Sequence, residues 1–289
     1  MKRLLPILAV CLLSGCASLD LDTIIDAAPV ADPVVAVEAD KYIRASFLFD
    51  GAGTRVMNIL GRGWTRDKFR EIVARCKANG DTHILLYTAN WGDGPGGSGN
   101  ARNQTSFYYS GFAGNVCEYQ LYEMVWRLRY CNEQGLTPIL WLMADDSKSF
   151  IPYKDVPRLK KYASDMVENI PADFYQEIVI CLEVDEVSDK ATMYAVAKHL
   201  QGITDKRIGL HMTSGKYDWA EKCPDIDVIW YQYGWLSSSD KLISETRKVL
   251  GKTTKPLVAT EYRKGSNGGW GAKLLEAIQD KRLNGYGNG

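Results

Sequence analysis

Carboxylates close two of the apolar runs in this sequence: Glu183, Asp185 and Glu186 follow IVICL, and Glu261 follows PLVAT. Two carboxyl groups in different surroundings can divide labour, one kept protonated as an acid and the other ionised as nucleophile or base. Other strand-like runs end in similar company. Asp50 closes the first, Trp91 and Asp93 follow the second, and Asp145-Asp146 ends the third. His211 and Thr213 belong to the fifth, and Tyr231-Gln232-Tyr233-Gly234-Trp235 to the sixth. Aromatic faces stack on the apolar faces of sugar rings, while carboxylates and amides bind hydroxyls. Gathered on one rim, these residue types would make a carbohydrate site. Polar strand ends meeting solvent explain any one of them; the whole set is harder to explain that way.

The elements that must position them alternate along the chain. β-type segments run from Tyr42 to Phe49, His83 to Thr88, Pro138 to Met143, Glu177 to Val184, Arg207 to Met212, Asp227 to Tyr233 and Pro256 to Thr260. Helix-type segments fall between them, among them Arg66 to Ala78, Glu118 to Glu133, Val156 to Glu168, Lys190 to Leu200 and Asp240 to Leu250. Leu121, Met124, Val125 and Leu128 share one helical face, and Gly80, Gly135 and Gly251 act as stops. Strands each followed by a helix imply parallel pairing through right-handed crossovers. An eighth, very short strand is expected near Asn284 to Gly289. Residues 41–289 then form a single α/β domain, a (β/α)8 TIM barrel, whose usual size is roughly 250 residues. An open doubly wound sheet would carry a glycine-rich phosphate turn after its first strand, and Asp50-Gly51-Ala52-Gly53-Thr54 does not match that fingerprint. In such a barrel chemistry sits at the C-terminal strand ends.

On these segments the chain resembles (β/α)8-barrel glycoside hydrolases of the large retaining clan. IVICLEVDEV is similar to the strand-four segment that carries the acid/base, which implies Glu186 in that role. KPLVATEYRKG is similar to the strand-seven segment, which implies Glu261 as nucleophile. DVIWYQYGW resembles the strand-six segment whose Tyr bonds the nucleophile; Tyr233 takes that place, with Tyr231 as substitute. IGLHMTSG and QYG are similar to apiosidase-like branches, in which His and Gln line the sugar pocket. The strand-end reading and the resemblance together give Asp50, Trp91, Asp145, Asp185, His211, Tyr231, Gln232, Tyr233 and Trp235 as expected substrate-binding residues, with no metal and no organic cofactor implied. Asp185 stands where the clan has Asn before the acid, and no Pro follows Glu186. Strand alternation puts Glu183 and Asp185 on one face and Glu186 on the other unless a bulge intervenes, so Glu183 is a rival acid. Carboxyls about 5–5.5 Å apart would retain configuration, and about 6.5–9.5 Å would invert it. Strands four and seven stand nearly opposite across the mouth, which in the clan it resembles produces the shorter spacing and so implies retention.

The N-terminus suggests a location. Met1-Lys2-Arg3 precedes the apolar run Leu4 to Leu13, long enough for a signal-peptide core and short of the roughly 20 residues that span a bilayer. Leu13-Ser14-Gly15-Cys16 resembles a bacterial lipobox, which implies a signal peptide over 1–15 and lipidation of Cys16. Two or more acyl chains on one Cys anchor a protein stably. Residues 16–40 carry acidic but no basic side chains and read as a flexible tether. Ala17-Ser18 lacks the Asp that signals inner-membrane retention, so the expected site is the bacterial cell envelope: the outer membrane if the host has one, facing periplasm or exterior.

Equal numbers of basic and acidic residues, 35 each, give zero formal charge and argue against a nucleic-acid partner. Eight Trp and 16 Tyr argue against disorder. Beyond Cys11 and Cys16, an odd set of cysteines (Cys76, Cys117, Cys131, Cys181 and Cys223) cannot all pair, and most are expected to be buried thiols. The glycine-rich stretch Gly92 to Asn115 contains Phe107-Tyr108-Tyr109 and is expected to form an aromatic flap beside the cleft. Two function classes remain: an envelope-tethered glycosidase acting on oligo- or polysaccharide, or a non-catalytic carbohydrate-binding or structural lipoprotein on the same barrel.

Overall fold

The strands close on themselves. In this computed structural model β1 (Ile43–Ser46), β2 (His83–Tyr87), β3 (Thr137–Met143), β4 (Glu177–Cys181), β5 (Arg207–Met212), β6 (Val228–Gln232), β7 (Leu257–Thr260) and β8 (Leu283–Asn288) form one parallel sheet in the order β1-β8-β7-β6-β5-β4-β3-β2. The two ends of that order meet: Thr82 N–H donates to Arg44 O at 2.9 Å, and Arg44 N–H to Thr82 Oγ1 at 3.2 Å. The structure describes residues 42–46, 65–88, 118–143, 154–181, 183–213, 215–234, 236–262 and 269–288. Ala36–Gly289 forms one compact unit.

The helices pack outside. They are α1 (Arg66–Ala78), α2 (Glu118–Glu133), α3 (Val156–Asn169), the short α4 (Val184–Val187), α5 (Lys190–Gln201), α6 (Asp218–Lys222), α7 (Ser239–Leu250) and α8 (Gly269–Ala277). Their starts follow local chemistry. Thr65, Asp155, Asp189 and Ser238 each accept a backbone N–H from the first turn of α1, α3, α5 and α7.

The period-two alternation of strands separates two cores. Ile43, Ala45, Leu85, Tyr87, Ile139, Trp141, Val179, Val228, Trp230 and Val258 fill the barrel interior. Ile84, Leu140, Ile178, Ile208, Leu210, Ile229 and Leu257 face outward into a larger core with the helices. Along β6 this places Val228, Trp230 and Gln232 inward, while Ile229, Tyr231 and Tyr233 belong to the outer layer.

The (β/α)8 barrel expected from the sequence is therefore the fold. Most strand bounds fall within a residue of those expected, but β4 ends three residues early: it stops at Cys181, and Val184 already opens α4. The described Cys76, Cys131, Cys181 and Cys223 are all buried.

Candidate active site

Among the described residues, two that are not glycine have a positive φ: Glu183 and Glu261, each at φ 44°. Both stand just past a strand, Glu183 after β4 and Glu261 after β7. The left-handed region costs an L-residue with a Cβ roughly 1–2 kcal/mol, and such strain gathers at functional sites. Each turn has a structural effect. Val258 faces the barrel interior and Thr260 reaches a side chain there, so simple alternation would send Glu261 outward; its left-handed turn brings it back. At β4 the same kind of turn ends the strand and starts α4, with Glu186 N–H bonding Glu183 O at 2.9 Å.

The two carboxylates share one donor. Gln232 Nε2 donates to Glu183 Oε1 at 2.6 Å and to Glu261 Oε2 at 3.1 Å. An amide nitrogen has two hydrogens and a carboxylate has none, so the nitrogen end of the amide must face both acids. Glu261 is buried and Glu183 half-buried. Laid end to end, the two bonds fall short of the roughly 6.5 Å at which inverting carboxyl pairs begin.

Beneath them lies His211, with no exposed surface. Its Nδ1 accepts the Glu183 backbone N–H at 2.9 Å, so the ring hydrogen resides on Nε2, 2.9 Å from Thr260 Oγ1. Trp141 packs against this ring with centroids 5.1 Å apart and meets Trp230 edge-on at 5.5 Å. The floor of the site is thus aromatic and closed.

Other expected residues have different surroundings. Glu186 is exposed on α4. Asp185 has a fully buried side chain that accepts from Thr213 N–H at 3.0 Å and from Thr213 Oγ1 at 2.5 Å, and pairs with Lys216 at 3.1 Å. Burial alone would raise its pKa, but the bonds from Thr213 and Lys216 outweigh it and hold the carboxyl below the usual range. Asp185 therefore fastens α4 to the turn after β5. Tyr231 accepts the Gly215 N–H through its hydroxyl at 2.6 Å, and its ring meets Tyr233 at 4.7 Å. Tyr233 is buried in the outer layer, and burial pushes its phenol up from the ordinary range. The side chain against Glu261 from β6 is Gln232, with neither tyrosine in that position. Cys16, Asp50, Trp91, Asp145, Trp235 and the Gly92 to Asn115 stretch lie outside the described residues.

Thr260 is a partner that the sequence reading did not single out. Its signal was available: it precedes Glu261 and shares the inward face of Val258. Among the described residues, no three His, Cys, Asp or Glu side chains gather as a metal ion would require.

No protein-family model matches the chain, and no curated protein matches it by sequence. Solved structures do match in fold. A GH113 β-1,4-mannanase is similar at TM-score 0.56 and 12% identity, over 86% of this chain and 88% of that one. A glycoside hydrolase family 5 protein from Bacteroides vulgatus gives 0.61 and 13%, over 86% and 57%. The exo-β-1,4-mannosidase Op5Man5 from Opitutaceae bacterium strain TAV5 gives 0.60 and 14%, over 86% and 51%. At these identities the likeness is one of fold, the eight-stranded parallel barrel.

Proposed function

We propose that this protein is a glycoside hydrolase acting with retention of configuration, with Glu261 as nucleophile and Glu183 as acid/base. The observation that carries the reading is the single Gln232 amide between the two glutamates, which keeps their nearer oxygens within the span of a double displacement. Glu183 is preferred to Glu186 because it faces the shared amide, whereas Glu186 lies on the exposed side of α4.

The steps follow from that geometry. Glu261 attacks the anomeric carbon as the bond to the glycosidic oxygen breaks, and Glu183 gives its proton to that oxygen. A glycosyl ester on Glu261 results. Glu183, now ionised, takes a proton from water, whose oxygen displaces Glu261 and frees the sugar. Gln232 donates to both carboxylates and holds their separation through both steps. No metal or organic cofactor enters. β-Linked mannose and glucose saccharides are the first substrates to test, since the solved neighbours are described as β-mannanase, β-mannosidase and β-glucosidase.

We also propose that Cys16 is lipidated and that 17–40 tethers the barrel to a bacterial envelope membrane, in keeping with the lipobox-like LSGC. Saccharide and membrane are then the partners.

Purified Ala17–Gly289 should be assayed on aryl β-glycosides and oligosaccharides. Glu261→Ala should abolish turnover. Glu183→Ala should keep activity on substrates with good leaving groups, lose it on natural glycosides, and regain turnover with azide, which attacks the intermediate from the vacated space. Glu186→Ala should behave as wild type. The azide pattern appearing in Glu186→Ala would transfer the acid role to that residue. Glycan binding without any turnover would replace the enzyme with a binding protein.

A further inference from the structure

His211 touches both strained turns at once, and through different atoms. Nδ1 holds the backbone N–H of Glu183, and Nε2 meets the hydroxyl of Thr260, the residue before Glu261. The ring is fully buried under Trp141, and with both nitrogens engaged by protein it has no atom left for a sugar hydroxyl. Only the neutral imidazole with its hydrogen on Nε2 satisfies this arrangement. A second proton would sit on Nδ1, pointing at a backbone N–H that points back. Two donors cannot share 2.9 Å, so the Glu183 N–H would have to turn away.

We propose that His211 is a positioning residue: as a neutral strut it latches the acid glutamate's turn to the nucleophile's strand, and its protonation releases that turn. This rests on the hydrolase reading above. Among the described residues, the charged groups around the ring are Glu183 from the turn after β4, Glu261 from the end of β7, and Asp185, fastened to Thr213 two residues along. Glu177 and Arg207 lie lower in the barrel, two inward positions below His211 with Gly209 between. The neighbouring faces of β3 and β6 contribute Trp141, Trp230 and Gln232, which carry no charge. Turnover should therefore fall on the acid side as the imidazole gains its proton, because the Glu183 turn is then released.

The chain has three histidines, His83, His199 and His211, so ring nitrogen resonances of labelled mature protein can be assigned with one variant each. His211 should show the Nε2–H tautomer at neutral pH. On acidification its protonation should coincide with loss of hydrogen-exchange protection at the Glu183 amide and with the acid limb of kcat. His211→Asn places a non-titrating carbonyl near the Nδ1 position. It should keep kcat within about threefold and move the acid limb to lower pH. His211→Gln reaches toward Thr260 instead and should lower kcat by on the order of 100-fold with KM unchanged. An Nδ1–H tautomer, or wild-type kcat and pH profile in both variants, overturns the proposal. If neither variant folds, the tautomer and the Glu183 amide of the wild type still decide it. If no glycoside is turned over, the hydrolase reading falls, while these two resonances still test the latch.

Discussion

Asparagine would sit more comfortably than glutamate at position 183, because its short amide tolerates the left-handed region. Glu183→Asn should therefore melt at or above the wild-type temperature while kcat on natural glycosides falls at least about 100-fold, as expected when an acid catalyst is removed. Calorimetry beside a kinetic assay checks both halves. A melting temperature depressed as far as by a core truncation would mean that the turn depends on the carboxylate. The same turn explains what could be read beforehand. Position 183 shares the parity of Glu177 and Val179, so alternation alone marked Glu183 as a rival acid. Its left-handed backbone had no signal in the sequence, since Gly or Asn would announce such a turn and Glu does not. Resemblance pointed to Tyr233 beside the nucleophile, yet parity along Val228, Trp230 and Gln232 already favoured Gln232. At this scale the pattern was in the residues, and the strain came only from tertiary contacts.

β4 carries a buried carboxylate at its start, the end away from Glu183. Glu177 is fully buried, accepts from Trp230 Nε1, and lies 3.3 Å from Arg207 in an ion pair without hydrogen-bond alignment. A Cβ on Gly209 would come within 2.9 Å of its Oε1, so the missing side chain on β5 makes its space. Burial, only partly offset by Arg207 and Trp230, pushes the Glu177 carboxyl up to about 7. Unfolded, a Glu titrates near about 4.3. The folded barrel thus holds this proton more tightly. Stability from Glu177 is fully present below about pH 4.3 and is lost as pH rises to about 7. Glu177→Gln should remove that slope. The wild type minus variant difference in unfolding free energy should drop by on the order of 3 kcal/mol between pH 4 and pH 8, measured by denaturant titration. An unchanged difference would show that Arg207 keeps Glu177 ionised throughout. Elements themselves were mostly readable: β-type runs, helical periodicity and glycine stops marked strands and helices to within a few residues. α4 was not, because VDEV reads as the end of a buried strand and becomes helical through Glu183 and the Thr213 bonds to Asp185.

At the scale of the molecule, the repeated alternation of apolar run and amphipathic run made the barrel readable without any single strong motif. The proposed anchor is a separate matter; among the described residues no helix is long and apolar enough to cross a membrane. If 17–40 forms the proposed tether, its reach is on the order of 25 Å. Full-length protein should enter the detergent phase on cloud-point separation, and Cys16→Ser should move it to the aqueous phase without changing activity on small soluble glycosides. Partitioning unchanged by Cys16→Ser would place the attachment elsewhere. The barrel's seam bears on how such a protein is made. β1 pairs with β8 at Ile43↔Gly285, where Gly285 has φ 146° and a Cβ would meet Ile43 O at 2.0 Å. The first described strand thus waits for the last one, so during synthesis the sheet stays an open ribbon with two sticky edges until Leu283–Asn288 has emerged. A chain still being threaded through a membrane channel would remain unclosed, and so compatible with threading. The same pairing makes the last strand the one whose loss would leave both edges ready for another copy.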